Sequence, residues 1–485
     1  MRATDGPAQT GYRGLLRDHE FSGLFVADVT SRIGSQLGKF ALAALVYERT
    51  RSAALAAVTF AVTYLPGLLG GPVLSTLADR LPRRGILITC DVVRAVLTAL
   101  IALLGDHVPL ALALLLLAEF FRVPFGAART AILADVLPAE RFAAGNALVA
   151  TSQQAVQVIG FAAGGFVVVL IGSPAALGVN ALAYAVSAVL LAVFVLPRPA
   201  PARPAGARQP ILRDTWQGLR VVRDTTRMPS LFCLLFLGPT VLATAEGLAL
   251  PLAAELGLGD QGAGILLAAA PLGSAVGLLA VGRMPAPARE RLVAPGAVAV
   301  GMCVAAAGLA GPSVLVVAAL LLAGLAMGHV AQLQAAIVGL VPAGARGRVI
   351  GLANTALQFG QALALLLAGV IAQATSSRGV LVGAGVAAGL AAAAVAGRDS
   401  VVRHASRPRP EIAPGPRSGS PVAPSVAGPA GAQRADVRSD VVRPATVQLA
   451  KGQPTKVQQP NVRPTKAGPA EVRLAGREAE HRPAG

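Results

Sequence analysis

The 485 residues are 54% hydrophobic and only 14% charged, with a mean hydropathy of +0.64. Soluble chains carry roughly a quarter charged residues, so a water-soluble globule is excluded. The net charge of +18 does not point to nucleic acid, because aromatics are 4% and the positive residues lie in short loops and a C-terminal tail with no stacking platform among them.

The first 18 residues are polar, and no small-residue cleavage site follows a short apolar core. The first apolar run is therefore read as a retained helix. Crossing a bilayer takes about 20 apolar residues. Twelve runs meet that need, at 21–47, 53–77, 86–104, 109–134, 146–171, 174–195, 231–253, 261–281, 292–310, 313–340, 349–371 and 380–396. Span 1 is interrupted by Asp28, Arg32 and Lys39, and span 4 by Glu119, Arg122 and Arg129. The predicted fold class is all-α, a polytopic membrane protein of twelve helices in two six-helix halves.

Loop charges orient the chain. If both ends are cytoplasmic, 19 arginines fall on the inside before the tail, and three (Arg49, Arg51, Arg378) fall outside. Cytoplasmic loops hold the excess of Arg and Lys. The expected layout is a cytoplasmic segment (1–20), a first half (21–196), a cytoplasmic linker (197–230), a second half (231–397) and a disordered cytoplasmic tail (398–485). The linker opens on Pro197-Arg-Pro-Ala-Pro, which cannot continue a helix. Its residues 211–227 then read as an amphipathic helix lying on lipid, with Leu212, Trp216, Leu219 and Val222 opposite Arg213, Arg220, Arg223 and Arg227. The tail holds 15 Arg and Lys against 7 Asp and Glu and has no sustained period.

Charged groups within a span cost about 2.5–3.5 kcal/mol each on insertion scales, so they face partners or an aqueous cavity. Asp28, Arg32, Ser35 and Lys39 share one face of span 1, and Glu119, Arg122, Gly126 and Arg129 share one face of span 4. Two polar faces in the same half predict a shared cleft. There, Asp28 or Glu119 exchanges a proton and Arg122 supplies the competing charge. Satisfied ion pairs that tie helices together are the structural alternative. In the second half the polar candidates are Glu246 in span 7, His329 and Gln332 in span 10, and Asn354, Gln358 and Gln361 on one face of span 11. Gly160, Gly164 and Gly165 in span 5, like Gly273 and Gly277 in span 8, allow close helix packing.

The loop between spans 2 and 3, Leu74-Ser-Thr-Leu-Ala-Asp79-Arg80-Leu-Pro-Arg83-Arg84-Gly85, resembles the signature loop of the major facilitator superfamily, Gly-x-Leu-Ala-Asp-Arg-x-Gly-Arg-Arg/Lys. Asp79, Arg80, Arg83 and Arg84 match it, while Ser75 and Pro82 depart from it. These residues are read as a conformational latch, with the arginines pairing to Asp135 at the end of span 4 or to Asp91. The halves also resemble each other. Leu137-Pro138-Ala139 leads to Asn146 and Gln153, and Val341-Pro342-Ala343 leads to Asn354 and Gln361. Two such halves suit the inverted or parallel repeats of secondary transporters.

Arg122 and Gly126 further resemble the span-4 motif of facilitator drug exporters, Arg-x-x-x-Gly-x-x-Ala. Gly160, Gly164 and Gly165 resemble the antiporter motif Gly-Pro-x-x-Gly-Gly, with Phe161 in place of the Pro. The stretch Leu137-Pro-Ala-Glu-Arg141…Gly145-Asn-Ala147 resembles macrolide efflux proteins and enterobactin exporters. The resemblance implies proton-driven export of a drug-like or siderophore-like molecule across the cell membrane by a monomer. Import of a small metabolite, a transporter-like sensor and an intramembrane enzyme remain open. No nucleotide, metal or Rossmann motif occurs, so neither cofactor nor enzymatic activity is expected. The expected partners are a small-molecule substrate, protons and membrane lipid.

Overall fold

The computed structural model describes residues 12–69, 81–198, 211–225, 227–342 and 345–405, all within the unit Met1–Pro410. Asp79, Arg80, the first eleven residues and the tail from 406 onward lie outside the described residues. Among the described residues all regular structure is helical.

Among the described residues the helices follow the predicted runs, and residues 70–77 of span 2 lie outside the described residues. Span 1 is His19–Thr50, started by Asp18, whose carboxylate accepts from the N–H groups of Glu20 and Phe21 at 3.0 Å each. Arg51, at φ 51°, closes its far end and donates its N–H to the Tyr47 carbonyl. Span 2 comprises Ala53–Val62 and Leu65–Leu69. The break falls just before Pro66, which lacks an N–H and crowds the carbonyl four residues back. Spans 3 to 6 are Arg83–Leu104, Val108–Val136, Ala139–Ile171 and Ser173–Phe194.

The linker helix is Ile211–Asp224. It exposes Trp216 and Leu219 and buries Val222 in an apolar cluster that includes Met228. Span 7 was expected as a single run but divides into Met228–Gly247 and Ala249–Glu255, ahead of Pro251. Span 8 is Gly259–Arg283 and span 9 is Val293–Leu309. Span 10 (Ser313–Ala326 and Val330–Leu340) tightens into a 3-10 turn at Met327–His329. Spans 11 and 12 are Arg346–Ala374 and Ser377–Ala405. Span 12 runs on into residues expected to belong to the tail.

Among the described residues nine helices are long and apolar enough to cross a bilayer, and Ala53–Gly67 and Val293–Leu309 are shorter apolar ones. Span 1 is long enough and is set apart by its charges. The chain is thus an all-α polytopic membrane protein.

Helix pairings repeat with an offset of six. Span 6 packs on spans 1 and 3, as span 12 packs on 7 and 9. Span 4 lies on span 3 as span 10 lies on span 9, and span 5 lies on span 1 as span 11 lies on span 7. The halves join where span 5 meets span 8 and span 2 meets span 11, two contacts exchanged by the same offset.

The joining contacts depend on missing side chains. A Cβ on Gly165 would lie 2.8 Å from the Asp260 carbonyl oxygen and 2.9 Å from the Gly264 Cα. One on Gly369 would lie 2.6 Å from the Ala57 Cβ. Both contacts sit toward the end where the loops carry few arginines. Within the second half, span 8 touches span 10 backbone to backbone, because a Cβ on Gly273 would fall 2.0 Å from the Leu321 carbonyl oxygen. Gly273→Val is therefore expected to force the helices apart at a cost of about 1–3 kcal/mol or more. The measurement is the yield of monodisperse protein after detergent extraction. A wild-type yield would show that span 10 moves freely away.

Candidate functional site

The polar faces of spans 1 and 4 meet around one cavity of about 420 Å³. Asp28 is its anchor. Its Oδ2 accepts from Arg32 Nε, one turn along span 1, and from an Arg129 guanidinium nitrogen on span 4, each at 2.9 Å. The carboxylate is 2% exposed, and two arginines converge on it.

Arg122 lies on the same wall. Its Nε donates to Glu119 at 2.6 Å, and its other end donates to the Thr63 carbonyl at 2.9 Å. The local reason lies in span 2, where the interruption before Pro66 leaves that carbonyl available to a side chain. Gly126, one turn beyond Arg122, leaves open space, since a Cβ there would meet nothing within 4 Å. Pro124 interrupts the hydrogen bonding of the same helix.

A second lobe of about 250 Å³ lies against spans 7, 8 and 10. Gln154 and Gln157 of span 5 border both lobes. Its walls mix apolar side chains, among them Phe161, Leu242, Leu266, Leu267 and Met327, with polar ones that include Glu246, Ser274 and Gln361. Glu246 faces Tyr64 and, across the halves, Lys39. Toward the arginine-rich end, Asn146 on span 5 and Asn354 on span 11 are exposed.

Of the predicted site residues, Asp28, Arg32 and Arg122 line the first lobe and Glu246 the second. Glu119 is buried behind Arg122. Among the loop residues, Arg83 bonds Asp135 and reaches the Ala131 carbonyl at 3.4 Å, and Arg84 donates to the Ala192 carbonyl of span 6 at 2.5 Å.

Asp91 is a correction. Among the described residues it meets neither Arg83 nor Arg84. It lies fully buried, accepting from Ser187 Oγ at 2.6 Å and pairing with Arg94, whose other nitrogen donates to the Tyr184 hydroxyl at 2.6 Å. Arg94 also lines the first lobe. Its spacing from Asp91 (i, i+3) was the available signal.

Gly160 packs on Gln36 and Gly164 on Phe40, both of span 1, while Gly165 faces span 8. His329 is buried, its Nδ1 2.7 Å from the Ala326 carbonyl oxygen, with its ring against Gly296. Its surroundings are those of a packing residue. Gln332 is not among the residues that line either lobe.

A family model described as Major Facilitator Superfamily matches residues 24–330 and 242–454, two overlapping stretches. The uncharacterized MFS-type transporter YkuC of Bacillus subtilis (strain 168) is 24% identical over 206 residues. That match takes in 42% of this chain and 46% of the relative, so the chain spans less than half of that relative's length. Among solved structures, a POT family transporter in complex with 5-aminolevulinic acid aligns with a TM-score of 0.63 at 13% identity, covering 81% of this chain and 98% of its own. The nucleoside transporter NupG aligns at 0.58 and 14% identity, covering 78% and 98%. At such identities the likeness is one of fold.

Proposed function

The chain belongs to the Major Facilitator Superfamily, and from that premise we propose that it exports a drug-like or siderophore-like small molecule by alternating access, driven by the proton gradient. The supporting observation is the two-lobed cavity, one lobe walled by polar side chains of the first half and the other by residues of both halves, which are joined tightly near one end. Rocking the halves about such a midplane site exposes it to each side in turn. In this reading the arginine-rich side is cytoplasmic and the protein works as a monomer in the cell membrane.

Asp28, Arg32, Glu119, Arg122 and Glu246 are the coupling and cavity residues. Asp28 and Glu119 are committed to arginines. Glu246 has no arginine partner and is the natural proton carrier. Asp79, Arg80, Arg83, Arg84 and Asp135 form the latch that favours one state. The Arg83–Asp135 pair is 22% and 34% exposed at its two side chains. Pairs this accessible contribute up to about 1 kcal/mol, enough to bias a two-state equilibrium yet weak enough to open. Asp79→Asn is expected to leave membrane insertion intact and to cut transport. Wild-type transport by that variant would remove the latch.

Transport itself is tested in everted vesicles with lipophilic cations, macrolides and siderophores, with and without a proton uncoupler. Uncoupler-sensitive accumulation is the expected result, and accumulation indifferent to the uncoupler would overturn proton drive. Import of a small metabolite uses the same architecture, and accumulation in right-side-out vesicles alone would establish that direction instead.

A further inference from the structure

The charges of the first lobe define the class of molecule it accepts, an inference that rests on the transporter reading above. Five cationic side chains line that lobe: Arg32, Lys39, Arg94, Arg122 and Arg129. Four carboxylates stand against them. Asp28 is shared by Arg32 and Arg129, Glu119 takes Arg122, Asp91 takes Arg94, and Glu246 faces Lys39 from the second lobe. One positive charge is therefore in excess.

Lys39 is the least tightly held of the cations. It lies on the lobe wall and faces Glu246, but it is locked in no direct ion pair or hydrogen bond among the described residues. The Nε atoms of Arg94 and Arg129 are buried without a partner. Cations gathered within a membrane need a counter-charge, and guanidinium groups suit carboxylate and phosphate oxygens. The adjoining lobe differs in character. Phe161, Leu242, Leu266, Leu267 and Met327 offer an apolar surface, reached past Gln154 and Gln157.

The geometry points to an amphipathic anion as the cargo, with a carboxylate or phosphate head held near Lys39 and Arg129 and an apolar body in the second lobe. A cationic amphiphile of the same shape would bring its charge against the excess positive charge and bind worse.

The test uses the full chain in phosphatidylcholine nanodiscs and four probes that share one ring system: 2-naphthyl phosphate, 2-naphthoate, 2-naphthol and 2-naphthylmethylammonium. Binding is read by calorimetry. Both anions are expected to bind at least tenfold tighter than the ammonium probe, with a preference that weakens as salt rises. Lys39→Gln is expected to remove at least fivefold of the anions' affinity while changing 2-naphthol less than twofold, and Lys39→Arg to preserve the preference. Equal or tighter binding of the ammonium probe, absence of anion binding, or indifference of the anions to Lys39→Gln overturns the assignment. The head-group order is read on the unaltered chain, so a variant that fails to fold does not decide the result. Binding needs no transport. Anion preference without movement in vesicles counts against the transporter reading alone, and movement of cations only counts against the cargo class alone.

Discussion

Asp91→Asn is expected to destabilise the protein by about 3–5 kcal/mol, the loss typical of breaking a buried ion pair from one side. Asp91 is 0% and Arg94 4% exposed, so the carboxylate is sealed from solvent and the guanidinium touches the cavity only at its edge. An amide at position 91 can still accept from Ser187 but no longer balances the guanidinium. Arg94 would then rest on the Tyr184 hydroxyl and on the face of the same ring, 4.1 Å from its centroid. The shift in the thermal midpoint of the detergent-solubilised protein, followed by size-exclusion chromatography, measures the effect. Ser187→Ala removes one hydrogen bond to a charged acceptor and should cost less, about 1.5–3 kcal/mol. The double variant Asp91→Leu with Arg94→Met should regain most of the loss, because a well-packed apolar pair often replaces a buried ion pair without penalty. An unchanged midpoint for Asp91→Asn would mean that water reaches Arg94 from the cavity and supplies the missing partner.

Glu246→Gln is expected to separate movement from energy coupling. Glutamine keeps the shape and the ability to hydrogen-bond Tyr64, but it cannot carry a proton. Ionisable groups within membrane spans serve as proton relays. Among the carboxylates around the cavity, Asp28 is held by two arginines and Glu119 by one, whereas Glu246 faces Tyr64 and Lys39. Exchange of labelled for unlabelled substrate should persist, while gradient-driven accumulation should fall by roughly tenfold or more. Undiminished accumulation would move the proton site to Asp28 or Glu119. Loss of both activities would make Glu246 a substrate contact.

The contacts along one helix were the most legible part of the site. Arg32 lies one turn from Asp28, and Arg122 lies three residues from Glu119. Both pairs form because helical neighbours at these spacings share a face. Contacts between helices were not legible in the same way. Nothing in the local pattern ties Asp28 to Arg129, 101 residues on, or Arg122 to the Thr63 carbonyl. Of the two carboxylates offered to the loop arginines, Asp135 pairs with Arg83 and Asp91 does not, for the same reason. The loop arginines are its topological neighbours, but span 3 turns its carboxylate inward to span 6 and Ser187.

Bilayer thickness acts on each stretch of chain separately. The apolar runs, the helical class and the arginine bias of the loops were therefore determined by the residues in order, without reference to their neighbours in space. The rotation of each helix about its axis was decided only in the assembled bundle, by backbone contacts such as Gly165 against Gly264 and Gly273 against Leu321. That rotation makes two polar faces into one cavity, places Lys39 on its wall and turns Glu246 toward it from the other half. Packing is a property of pairs of surfaces, and no single helix carries it.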